Sequence, residues 1–125
     1  MTEPLGVLLL SGRHERAHTA FSVVAAAAAL GRPTILFATN AGCLALMTDW
    51  QGLEDAGRDA VIRVRGVAGL DTLREAAHDL GVRLLACEAG MKAEALDPAR
   101  LLPGVELSGL ATFLHAVAGG QIVTL

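Results

Sequence analysis

Six residues near the N-terminus, Leu5 to Leu10 (LGVLLL), constrain the fold more than anything else in the chain. An unbroken apolar run of this length, ended by Ser11-Gly12, reads as a strand buried on both faces and followed by a turn. The stretch from about Glu15 to Leu30 is helical by its length and Ala content. It is apolar nearly all round towards its end, which places it deep in the fold. Gly31 stops it, Pro33 follows, and Thr34 to Ala38 (TILFA) forms the second strand. Strand, helix and strand of these lengths make a βαβ unit, which implies parallel pairing through a right-handed crossover.

The rest of the chain continues the alternation. Asn40-Ala41-Gly42 opens a short helix carrying Cys43, Leu44, Leu46 and Met47. Residues 48–66 are the least patterned part, with charged residues among Gly52, Gly57 and Gly66. They read as an exposed excursion with a short strand at Ala60 to Val64, serving as a solvated loop, a lid or an oligomer contact. Leu70, Leu73, Ala77 and Leu80 give the stripe of an amphipathic helix, with Thr72 and Glu75 as a capping box and Gly81 as its stop. Val82 to Ala86 is the third strand, with Cys87-Glu88 at its C-terminal end. A helix from about Gly90 to Leu96 and a further helical turn from Asp97-Pro98 to Leu102 follow, and Val105 to Leu107 is the fourth strand. Ser108 is placed to cap a last helix with the core stripe Leu110, Phe113, Leu114 and Val117, and Gln121 to Leu125 is the fifth strand. The expected architecture is a three-layer α/β/α domain on a five-stranded, mostly parallel sheet, with residues 1–125 as one domain.

Composition narrows the function classes. Aromatic residues are 3% of the chain and Tyr is absent, which does not suit a module that stacks single-stranded bases. A net charge of -3 argues against binding a phosphate backbone, so no nucleic-acid partner is expected. The greasiest run, Val23 to Leu30, is too short for a bilayer span, which takes roughly 20 residues. No membrane partner is therefore expected. Met1-Thr2-Glu3-Pro4 carries no basic segment of a signal peptide, and a cytoplasmic location is expected. In that compartment Cys43 and Cys87 are thiols rather than a structural disulfide.

Ligands and reactive groups of open parallel sheets gather beyond the carboxyl ends of the strands. That edge carries His14 and His18 after strand one, Asn40 and Cys43 after strand two, Cys87, Glu88 and Lys92 after strand three, and Ser108 after strand four. Cys87 is the sharpest candidate, because it lies between a strand end and a helix start, where free N–H groups favour a thiolate. Lys92 adds positive charge there and Glu88 opposes it. An unreactive, packed cysteine is the alternative. His14 and His18, four apart, could share a helix face as metal ligands, but the spacing lacks a carboxylate partner, and no metal site is expected. No G-x-G-x-x-G, Walker or G-x-S-x-G pattern is present, so neither a nucleotide cofactor nor a serine hydrolase is expected.

Two runs resemble a known family. Val82 to Met91 (VRLLACEAGM) is similar to the cysteine motif of the DsrE/DsrF-like sulfur-relay family, and Gly104 to Leu114 (GVELSGLATFL) to a second run of that family. The opening strand, Ser11-Gly12, the Ala-rich helix and Thr34 to Phe37 fit as well. The resemblance spans nearly the whole chain apart from residues 48–66. It implies a five-stranded parallel α/β/α domain assembled into oligomers, with a persulfide carried on the matching cysteine, here Cys87, and passed between donor and acceptor proteins. No organic cofactor is implied. Residues 38–42 (ATNAG) depart from the family's often aromatic segment, and Cys43 is unexpected there. The sequence therefore carries three readings: a persulfide carrier or sulfurtransferase subunit acting through Cys87, a non-enzymatic oligomeric scaffold, and a thiol redox protein using Cys43 and Cys87. A homo-oligomer is expected in each.

Overall fold

The computed structural model describes residues 3–125. In chain order the elements are β1 (Leu5–Leu9), α1 (His14–Ala29), β2 (Thr34–Ala38), a 3-10 helix (Asn40–Leu46), α2 (Arg58–Val64) and α3 (Leu70–Asp79). They continue with β3 (Arg83–Cys87), α4 (Glu88–Ala93), a 3-10 turn (Pro98–Arg100), β4 (Glu106–Ser108), α5 (Leu110–Ala116) and β5 (Gln121–Thr124). The five strands form one all-parallel sheet in the order β4-β3-β2-β1-β5.

Register sorts the strand residues into two faces, because side chains alternate along a strand and paired residues of parallel neighbours project the same way. Val7, Leu36 and Leu84 are one such row, and Leu8, Phe37 and Leu85 are the next. The first face, with Val7, Leu9, Leu36, Ala38, Leu84 and Ala86, is covered by Ala17, Ala20, Phe21 and Val24 of α1 and by Leu70 and Ala77 of α3. The opposite face, with Ile35, Phe37, Leu85 and Cys87, is covered by Phe113 and Val117 from the region of α5, with Ala116 partly buried beside them. Phe113 stacks on Phe37 with ring centroids 5.1 Å apart. A Cβ on Gly6 of β1 would stand 2.6 Å from Val117 and 2.9 Å from Phe113, so the glycine sets how closely α5 settles on the sheet.

Five expectations are corrected. Ala60 to Val64 is helical, part of α2, and the excursion around it is not simply exposed: Trp50, Leu53, Asp59 and Ile62 are buried. Asp59 and Ile62 are three apart and turn inward together, a spacing that a helix satisfies and a strand does not. The Thr72–Glu75 capping box does not form, because α3 starts earlier, at Leu70, whose N–H is held by Asp59 Oδ1 at 2.8 Å. Ser108 does not cap α5; Gly109 occupies the cap position with no side-chain bond. Leu110 and Leu114 are half exposed rather than core, since α5 reaches the sheet through Phe113 and Ala116, with Val117 just beyond its end. The deep placement of α1 holds for one face only: Ala26, Ala29 and Leu30 are exposed.

Candidate functional site

The chain passes tightly over the carboxyl ends of the middle strands. A Cβ on Gly42 would run into the Leu9 carbonyl, and one on Gly12 would stand 2.7 Å from the Ala41 side chain. A Cβ on Gly90 would meet the Asn40 backbone nitrogen and stand 2.7 Å from Thr39 Oγ1. These three glycines let the 3-10 segment wedge between the end of β1 and the start of α4. Asn40 opens that segment in the left-handed region, at φ 50°, where Asn is among the better tolerated residues.

Cys87 ends β3 and caps α4. Its Sγ accepts a hydrogen bond from the Gly90 N–H at 3.3 Å. The residue is 9% exposed. Close packing of Gly90 against Thr39 and Asn40 therefore fixes the donor that faces the sulfur. Glu88 and Lys92, exposed on the first turns of α4, pair with each other at 3.6 Å. Lys92 thus spends part of its charge on Glu88.

Cys43 is fully buried in the core beneath α1 and α3, and its thiol donates to the Ala38 carbonyl at 3.4 Å. Burial pushes its pKa up to about 11; the Cys87 backbone amide favours the thiolate and offsets only part of this, while the charge of a Cys87 thiolate adds to the rise. Both cysteines are free, and their side chains belong to different core clusters, one on each side of the sheet.

His14 and His18 share one face of α1 as their spacing suggests, with rings stacked 5.7 Å apart, but they join a different group. His14 is fully buried and donates through Nε2 to Asp59 Oδ1 at 2.7 Å, while its Nδ1 has no partner among the described residues. Trp50 packs beside His14 at 5.8 Å, and His18 Nε2 donates to the Ala68 carbonyl at 2.8 Å. Arg63 stands 3.3 Å from the other Asp59 oxygen. Burial alone would raise the Asp59 carboxyl; the hydrogen bonds from His14 and the Leu70 amide, with the Arg63 charge nearby, outweigh it and hold the carboxyl below its usual range. Among the described residues no group of three His, Cys, Asp or Glu side chains is arranged to hold a metal ion. Asp59 and Trp50 escape a reading of the sequence because both lie in the unpatterned segment, and only the fold brings them to α1.

The structure therefore gathers Cys87, Glu88, Lys92, Asn40 and the buried Cys43 around the ends of β2 and β3. It sets His14 and His18 apart with Asp59. Ser108 lies beside Cys87: the two are register partners on β3 and β4, and the Ser108 hydroxyl is buried without a hydrogen-bond partner among the described residues. Burying a hydroxyl unpaired costs about 1–3 kcal/mol, so few such groups persist in native proteins.

Comparison with known proteins agrees with this architecture. The YchN protein from E. coli superposes with a TM-score of 0.74 over 100% of both chains, at 13% sequence identity. MTH1491 from Methanobacterium thermoautotrophicum, a protein of unknown function, gives a TM-score of 0.65 over 98% of both chains at 20% identity. At such identities these likenesses speak for the fold alone. No curated protein matches. The sequence model of one family does match, over residues 5–125, and on that extent the chain belongs to the DsrE/DsrF-like family.

Proposed function

We propose that this chain is a sulfur-relay subunit that carries sulfur as a persulfide on Cys87. The observation that carries the reading is the setting of Cys87: a thiol at the end of β3, with an N–H from Gly90 fixed on its sulfur, in a chain of a family associated with sulfur relay. In the loading step the Cys87 thiolate attacks the outer sulfur of a donor persulfide, R–S–SH. A bond forms between Sγ and that sulfur, the donor S–S bond breaks, and the donor leaves as the thiolate R–S⁻. Delivery is the same exchange with an acceptor thiolate, and Cys87 is the leaving group. No net oxidant or reductant is needed, and no organic cofactor or metal. The partners are a sulfur donor protein and an acceptor protein, docking on a homo-oligomer of this chain.

The placement of the two cysteines supports a single-thiol carrier over a dithiol redox pair, because a thiol held protonated inside the opposite core is poorly placed to resolve a bond at Cys87. The small exposure of Cys87 favours a second reading, in which the chain is an oligomeric scaffold and Cys87 only packs. Intact mass after incubation with a sulfane-sulfur donor separates the two. The carrier reading expects one added sulfur, removed by dithiothreitol, retained in Cys43→Ser and absent in Cys87→Ser. No adduct, with Cys87 also slow to alkylate in the native protein, would leave the scaffold.

A further inference from the structure

We propose that Ser108 is the sulfur-binding residue of this site: its hydroxyl donates to the outer sulfur of the Cys87 persulfide. The inference rests on the carrier reading and goes beyond it by assigning the donor that holds the transferred sulfur once it is bonded to Cys87.

Cys87 and Ser108 are paired in register as the last residues of neighbouring parallel strands. Such strands lie about 4.8 Å apart and project paired side chains to the same face. Ser108 Oγ is shielded from solvent, yet it has no hydrogen-bond partner among the described residues and makes no bond to Cys87 Sγ. The sulfur of Cys87 is instead engaged by the Gly90 N–H on its α4 side. A persulfide extends the side chain by one S–S bond, about 2.0 Å. That step towards β4 brings an anionic acceptor within reach of a hydroxyl that lacks one. The loaded state thus satisfies both sulfurs with separate donors, Gly90 N–H on the inner one and Ser108 O–H on the outer one. A hydrogen bond to a charged acceptor is about twice as strong as a neutral one, so the hydroxyl favours the bound persulfide anion over the free thiol.

The test compares wild type, Ser108→Ala and Ser108→Thr, each loaded with inorganic polysulfide and followed by intact mass as dithiothreitol removes the sulfur. Alkylation of unloaded Cys87 is measured in parallel. Ser108→Ala is expected to lose its sulfur about tenfold faster, with Ser108→Thr close to wild type because the hydroxyl is kept. Alkylation of the unloaded thiol should be the same in all three. Equal persulfide lifetimes in wild type and Ser108→Ala would overturn the role of Ser108 while leaving the carrier intact. A parallel change in unloaded alkylation would do the same, by showing that the substitution acts on the thiol rather than on the added sulfur. Failure of the wild type to load at all would overturn the carrier reading and this assignment together.

Discussion

The two thiols differ in what surrounds the sulfur, and their reactivities should differ accordingly. Cys43 is sealed in the core with a pKa near 11. Its thiolate is scarce at neutral or mildly alkaline pH, and its rate of alkylation by iodoacetamide should climb steeply only as pH approaches that value. Mapping the labelled cysteine at pH 8 in the native protein is therefore expected to find Cys87 modified well before Cys43; the reverse order would contradict the assignment of Cys87 as the working thiol. The sequence places both cysteines near the same edge, and that much is legible from the strand ends. What it cannot express is the side of the sheet each sulfur occupies. That follows from the wedge of Gly12, Gly42 and Gly90, which folds the 3-10 segment back over β1 and delivers Cys43 to the opposite core.

Asp59 shows how much one element can owe to another far along the chain. It lies on α2, accepts from His14 on α1 and holds the first N–H of α3, so three helices meet on one carboxylate. Its folded pKa lies below the ordinary value of 3.8. A depressed carboxyl contributes stability that is fully present above the unfolded pKa and is lost as pH falls through the folded one. Asp59→Asn should lower the unfolding free energy by about 2 kcal/mol at pH 7, within the usual cost of disturbing a buried charged hydrogen bond. The deficit should begin to shrink as pH falls below the ordinary carboxyl value, where the unfolded chain takes up a proton first, and disappear as pH falls through the lower folded pKa. Urea unfolding at pH 7 and pH 3 measures both; a difference that does not change between them would mean the charge of Asp59 plays no part. This clamp also explains why residues 48–66 resist a reading from sequence. The run Ala60 to Val64 (AVIRV) is rich in β-branched residues, as a strand is, and its helical state is settled by Asp59 and Ile62 turning inward together, towards partners from α1 and α3. The central strands β1 and β2 are legible because each is a short, continuous apolar run whose burial on two faces leaves it no alternative.

At the scale of the molecule, the two layers flanking the sheet are unequal. Leu110 and Leu114 of α5, on the thinly covered side, are 50% and 51% exposed, and Leu107, the partner of Ala86 on the other face of β4, is 41% exposed. Small domains with apolar surface of this kind often complete their burial against a second copy. We expect light scattering at micromolar concentration to return a multiple of the single-chain mass; a monomer would contradict the proposed assembly. Among the described residues no helix is long and apolar enough to cross a membrane, so these leucines are not part of a helical span. The unequal layers also imply unequal resistance to opening. Amide protons in β1, β2 and α1 sit under the larger core and are expected to exchange with solvent last, through unfolding of the whole; those of α5, which reaches the sheet through Phe113 and Ala116 with Val117 just beyond its end, should exchange first. Cys87 belongs to both regimes, its backbone anchored in the slow half and its sulfur beneath the fast one, so a brief breath of the thin layer would bare the thiol without loosening the strand that carries it.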